Sequence, residues 1–431
     1  MESDMTTAVD RIRKTDGARR DCGIVVAAIE YLTICVLILA FNTVWTRTDS
    51  LYSHVPLIKL AACAVGFVLP LIWAVKKPVG KLSMLPFVLF AGLGFCVSYF
   101  LTSNIAASLI AYLPVMMSCA YAEFCGGLGT ITRFLTRFVN VVLVLASISL
   151  FFFIFGSTLH LIDPTGIVNY QWEVTRRANS YWSLYFETQT IDFLSYSGIR
   201  NDGVFCEAPM FNFVLCLALM TNVLLLKGSR LKSLFLCATI LTTFSTTGYL
   251  AVLIVGAYLL MVAKVGNRLI NALRILLIPI LVVGIIIACA LILGDKSDTG
   301  SYGVRSDHLI GCTQLFFESL PLGTGFGDDA LFYSVFRFDQ GLSVGSMYLL
   351  AQGGLFAVAL YVVPTFYALF SGLRRKDWAF VAFQLAFAWL VFVTQVVTLP
   401  VFWLFTFLVL YKWPMLVADR SNCEEVAGLD G

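Results

Sequence analysis

Three polar segments carry most of the side chains in this chain that could do chemistry. In Gly198-Ile199-Arg200-Asn201-Asp202-Gly203-Val204-Phe205-Cys206-Glu207-Ala208-Pro209, a guanidinium and two carboxylates sit just before an apolar run. Read structurally, Pro209 suits a first helical turn and Glu207 its N-terminal cap, which leaves Arg200 as a surface charge. Ser245-Thr246-Thr247-Gly248 is a tight turn of small residues. Arg305-Ser306-Asp307-His308 leads on to Pro321-Leu322-Gly323-Thr324-Gly325-Phe326-Gly327-Asp328-Asp329, joining cations, acids and an imidazole to a glycine-rich turn. Backbone N–H groups in such a turn can face an anion. Glu207, Asp307 and His308 are the available proton acceptors, and His308 has the ordinary pKa nearest neutrality.

Other chemistries lack their signatures. There is no GxxxxGK[ST] phosphate loop and no DxD pair to hold a metal-bound nucleotide sugar, so a nucleotide donor is not expected. The 12 cysteines are dispersed through apolar runs as small packing residues, with no CxxC or Cys/His pairing, so no metal and no cofactor is expected. Cys206 and Cys312 fall on the same predicted side, but spacing alone does not establish a disulfide. His54 and His160 sit at the ends of apolar runs and receive no role.

The elements that must position these residues are membrane helices. Of 431 residues, 59% are hydrophobic and 13% charged, with mean hydropathy +0.87, which an ordinary soluble domain does not reach. Apolar runs near 23–41, 54–75, 83–101, 105–122, 138–158, 207–226, 232–245, 248–263, 275–293, 343–369, 378–396 and 400–417 predict about twelve transmembrane helices. The seventh and eighth are short enough to form one broken unit. The fold expected is an all-α polytopic membrane protein, 1–431 forming a single integral domain.

A cytoplasmic N-terminal segment, 1–22, and a cytoplasmic tail, 418–431, place most of the 29 Lys and Arg inside. The two long polar stretches, 159–205 and 294–342, then fall outside. The basic N-terminus reads as an orienting anchor, not a nucleic-acid arm. Amphipathic helices lying on the membrane interface are expected in 159–205, which carries Trp172, Tyr181, Trp182, Tyr185, Phe186, Phe193 and Tyr196. Rings at that depth suit stacking on a pyranose, with Tyr181 a candidate, although an anchoring aromatic belt is the favoured reading.

No internal repeat is visible, which weighs against a transporter or glycan flippase built from repeated halves. Glu30, Lys59 and Glu123 are the ionisable residues in or at the ends of spans, too few for an ion relay. Glu30 reads as an acid hydrogen-bonded inside the bundle, Lys59 and Glu123 as interfacial groups.

The segment from Arg200 to Pro209, the Ser245 to Gly248 turn, Arg305 followed by Pro321-Leu322-Gly323-Thr324-Gly325, and Ser346-Met347-Tyr348-Leu349-Leu350-Ala351-Gln352-Gly353-Gly354-Leu355 occur in an order that resembles the Wzy-type O-antigen and capsular polysaccharide polymerases. The resemblance covers roughly residues 195 to 365 and implies a GT-C-like fold in the bacterial cytoplasmic membrane with an extracytoplasmic active site. It implies metal-independent, inverting transfer between undecaprenyl-diphosphate-linked oligosaccharides, with membrane lipids and a chain-length regulator protein as partners and no nucleic acid. On that footing Arg200 and Arg305 stabilise the leaving diphosphate and Glu207 is the base. Arg337, Asp307, His308, Ser245 and Tyr181 then contact substrate. A leaving diphosphate gathers negative charge, which guanidinium groups bind well.

Two enzyme alternatives remain. The related O-antigen ligases carry a His-Asn pair just ahead of the span beginning near Ser346; Leu342-Ser343-Val344-Gly345 stands there in this chain, which favours the polymerase. A polyprenyl-phosphate glycosyltransferase would use an acid in the first external loop, and Asp49 is the residue there.

Overall fold

A computed structural model describes residues 24–76, 83–172, 174–193, 196–262, 300–327, 334–336 and 345–414. The apolar runs become helices: α1 (Ile24–Leu39), the short α2 (Val44–Arg47), α3 (Val55–Lys76), α4 (Leu85–Thr102), α5 (Ile105–Leu128) and α6 (Ile131–Phe152). There follow α7 (Ala208–Met220), α8 (Arg230–Thr242), α9 (Thr246–Val262), α10 (Gly300–Glu318), α11 (Gly345–Arg375), α12 (Trp378–Val393) and α13 (Pro400–Phe405). Wider π turns continue α6 over Phe153–Thr158, α7 over Thr221–Leu225 and α13 over Thr406–Lys412.

Among the described residues, six helical stretches are long and apolar enough to cross a membrane, so this is a helical membrane protein. The run near 275–293 and the segments 1–22 and 418–431 lie outside the described residues. α8 and α9 are two helices interrupted at residues 243–245.

Helix ends follow local chemistry. The Asn104 side chain accepts from Ala107 N at 3.0 Å to start α5, which stops at left-handed Gly129. Burial then sorts the helices. In the stretch Ala208–Leu225, 89% of residues are buried, against 22% in Leu85–Thr102, so α7 is central and α4 faces outward. Apolar on every side, α7 has no face suited to water or to a polar neighbour.

Two expectations need correction. The stretch 159–205 does not form amphipathic helices, and the described chain is not all-α. It holds β1 (Gly166–Trp172), β2 (Val174–Tyr181) and β3 (Tyr185–Glu187) in one antiparallel sheet, with β4 (Thr190–Phe193) paired to β5 (Tyr196–Ile199). Ile167, Val168, Tyr170, Val174, Thr175 and Tyr181 are β-branched or aromatic, types that fit a pleated surface better than a helix. Trp182 and Ser183 take left-handed backbones in the turn that brings Tyr185 opposite Tyr181.

This β lobe is bound to the bundle. Tyr170, Ala178 and Phe186 pack with Val44 and Cys206. Trp45 Nε1 donates to Ser183 O at 2.7 Å, and Phe186 N to Gly203 O at 2.9 Å.

Glu30 behaves as expected. It is fully buried on α1 and pairs with Arg133, at 3.3 Å, and with Arg137, both on α6. Two guanidinium groups compensate the buried carboxylate, whose desolvation would otherwise be costly. Glu123 is buried rather than interfacial and accepts from Ser83 Oγ at 2.6 Å and Met84 N at 2.7 Å at the start of α4.

Candidate functional site

Where α2, α3, α5, α11 and β1 converge, a cavity of about 340 Å³ opens beside the β lobe. Its chemistry is one-sided. Arg47 and Lys59 supply two cations, Asn42, Asn104 and Gln395 supply amides, and Trp172, Phe326 and Tyr348 supply rings. Among the described residues no carboxylate lines it, and neither cation has a carboxylate in an ion pair.

Geometry holds Arg47 in place. Its Nη2 donates to Asn42 Oδ1 at 2.8 Å, and its guanidinium carbon lies 5.2 Å from the Trp172 ring centroid and 5.6 Å from that of Tyr52. The buried Nε finds no acceptor among the described residues. Burial pulls the Arg47 pKa down from its ordinary value, with Cys206 and Tyr52 opposing, and an arginine stays charged at neutral pH regardless. Lys59 projects from the first turns of α3 close enough to feel the charge of Arg47. Two like charges held together without an anion form a site complementary to a multiply charged anion.

Glu207 lies one hydrogen bond behind the cavity wall. It is the N-cap residue of α7, as expected, but its carboxylate makes no capping bond. Instead Trp172, from the cavity wall, donates its indole N–H to Glu207 Oε1 at 2.6 Å. One face of the Trp172 side chain meets a cation, and its edge holds an acid.

Arg200 stands apart. Its Nε donates to Thr243 O at 2.9 Å and its Nη1 to Gln189 Oε1 at 3.3 Å, and the same amide oxygen accepts from Ala208 N at 3.1 Å. Asn201 donates to Thr242, through N to the carbonyl at 3.0 Å and through Nδ2 to Oγ1 at 2.8 Å. The first motif is thereby stapled to the α8–α9 junction, which holds buried Ser245. Gly248 is needed there, because a Cβ would sit 2.1 Å from Asn212 Oδ1. Arg200 does not line the cavity.

Asp202, beside Arg200, is fully buried and accepts from Thr188 Oγ1 at 2.6 Å. Burial pushes its carboxyl up to about 7, against the pull of Thr188 and Arg200.

The third and fourth motifs meet backbone to backbone. Thr324 N donates to Ala351 O at 3.0 Å, Gly325 N to Gln352 O at 2.9 Å, and Leu355 N to Pro321 O at 2.9 Å. Phe326 N is taken by Ser98 Oγ at 2.9 Å and Gly323 N by Ser319 O at 2.9 Å. The expectation that this turn presents N–H groups to an anion is therefore corrected for residues 323 to 326, whose donors are all engaged. The turn reaches the cavity through Phe326 and Gly327.

His308 is fully buried on α10, edge-on to Phe336 at 4.9 Å, and burial lowers its pKa despite neighbouring Asp307. Neither residue lines the cavity. Arg337 and the side chain of Arg305, both expected to meet the diphosphate, lie outside the described residues; Arg305 contributes backbone to α10.

Tyr181, expected to stack on a sugar, is buried against Phe152 and Tyr185, and its hydroxyl donates to Glu187 Oε1 at 2.9 Å. Its ring faces protein, so Tyr181 is not open to stacking on a ligand. Asp49 is exposed and accepts from Gln171 Nε2 at 2.8 Å. Cys206 and Cys312 are both free thiols.

Sequence reasoning passed over Arg47 and read Lys59 as an interfacial group. A signal was present: Lys59 lies inside an apolar run, where an ionisable residue is by default a functional candidate. Among known proteins, the chain matches no family model and no curated protein.

Proposed function

We propose that the cavity binds the diphosphate of a polyprenyl-linked glycan and that the protein is a polysaccharide polymerase of the extracytoplasmic membrane face. In this reading about twelve helices span the bacterial cytoplasmic membrane, both termini are cytoplasmic, and the β lobe is external. The observation that carries it is the pairing of Arg47 with Lys59 in a cavity whose described lining holds aromatic rings and no carboxylate, with one acid hydrogen-bonded to a wall residue. Its volume lies in the range of small-ligand sites, enough for the reacting sugar and diphosphate with the rest outside.

Transfer then runs as follows. An acceptor sugar hydroxyl attacks the anomeric carbon of the carrier-linked glycan, and the bond from that carbon to the diphosphate oxygen breaks with inversion. The electron pair leaves on the diphosphate, whose growing charge Arg47 and Lys59 stabilise. The hydroxyl proton passes to Glu207, held by Trp172. Trp172, Phe326 and Tyr348 offer ring faces to the sugars. Arg200 positions Glu207 by pinning the segment that carries it.

The test is purified protein supplied with a synthetic polyprenyl-diphosphate-linked repeat, with no nucleotide added. A ladder of glycan lengths is expected. Arg47→Ala and Lys59→Met should each slow its formation by about 100-fold, the scale of losing one charge-stabilising donor. A single transfer to another acceptor would instead indicate a ligase, and full activity in both variants would remove the cavity from the chemistry.

A further inference from the structure

We propose that a second cleft, at the opposite end of the bundle, holds the phosphate of an anionic phospholipid. It has a volume of about 310 Å³ and is bounded by the end of α7, by α9 and by the α11–α12 junction. Lys227, Lys376, Tyr258, Asp377, Trp378 and Trp413 give it its character.

The two lysines occupy unusual positions. Lys227 follows the π turn that ends α7, and Lys376 follows α11; both have left-handed backbones, with φ of 49° and 57°. Helices that end in this way favour glycine, which has no Cβ to strain the turn. At Lys376 the wrap is complete, with Lys376 N donating to Leu373 O at 3.1 Å and Asp377 N to Gly372 O at 2.9 Å. Asp377, the acid in the lining, caps α12 by accepting from Phe380 N at 3.1 Å. The cleft is therefore net positive.

A lysine at a helix C-terminus also complements the helix dipole and needs no ligand for that. The surroundings select a lipid. Phe366, Phe370 and Leu373 are 65%, 70% and 45% exposed along one face of α11 that runs to Lys376, and Trp378 beside it is 59% exposed. An apolar lane ending at cations and indoles accommodates acyl chains below and a phosphate above.

Thermal melting and native mass spectrometry of the detergent-purified protein test this, with phosphatidylglycerol, phosphatidylcholine or inorganic phosphate added. Phosphatidylglycerol should raise the wild-type melting midpoint by a few degrees and remain bound in the spectrometer, while the other two have little effect. The double variant Lys227→Gly/Lys376→Gly puts the favoured residue at both left-handed positions, so it should stay folded yet lose that response. An equal response to phosphatidylglycerol in both proteins would overturn the site. An equal response of the wild type to inorganic phosphate would overturn the lipid as its occupant. Neither readout depends on glycan transfer.

Discussion

The indole of Trp172 touches both halves of the proposed chemistry, its ring beside the Arg47 guanidinium and its N–H on Glu207. Trp172→Phe keeps a ring against Arg47 and removes the donor to Glu207. Turnover should drop by about 10-fold with KM little changed, since orientation of the base matters only once substrate is bound; steady-state kinetics reads this directly. Asp202 gives a second prediction at this scale. Its folded-state value, about 7, lies above the ordinary 3.8, so the folded protein holds an extra proton between those limits. Stability therefore falls as pH rises from about 4 through 7. Asp202→Asn should remove that slope, melting higher than wild type above pH 7 with the gain vanishing toward pH 4.

Among the elements, the junction of α11 with the Pro321 to Gly325 turn is the most exacting. Gly354 has φ 54° and ψ −145°, a conformation closed to residues with a Cβ, and a Cβ there would sit 2.4 Å from the Leu322 carbonyl carbon. Gly354→Ala should destabilise the protein by roughly 3 kcal/mol, seen as a lower melting midpoint and yield. Gly256→Ala, where no atom lies within 4 Å, should be neutral or slightly stabilising. The importance of these segments was legible from their glycines, but their role was not. Spacing shows that a backbone can turn tightly; whether its donors face a ligand or a neighbouring carbonyl depends on what packs against it. The β lobe was misread for a related reason: clustered aromatics suggested an amphipathic surface, while the β-branched residues between them matter only when a partner strand lies alongside.

For the whole molecule, hydropathy was the strongest guide, because a bilayer imposes length and apolarity on each helix independently of its neighbours. The site was harder to read, since Arg47, Lys59, Phe326 and Gln395 come from distant parts of the chain and meet only in the fold. On the proposed topology, an epitope inserted after Ser183 should be accessible from outside intact cells with a permeable outer layer, and one after Lys376 only after the membrane is opened; labelling of the Lys376 epitope alone in intact cells would expose an inverted orientation. The engaged amides of the 323 to 326 turn have one more consequence. Among the described residues, positive charge in the cavity rests on two side-chain tips instead of on the main chain. On the proposed reading, anion preference can therefore drift through exchanges at positions 47 and 59 alone, while the interlocked turn keeps the architecture constant.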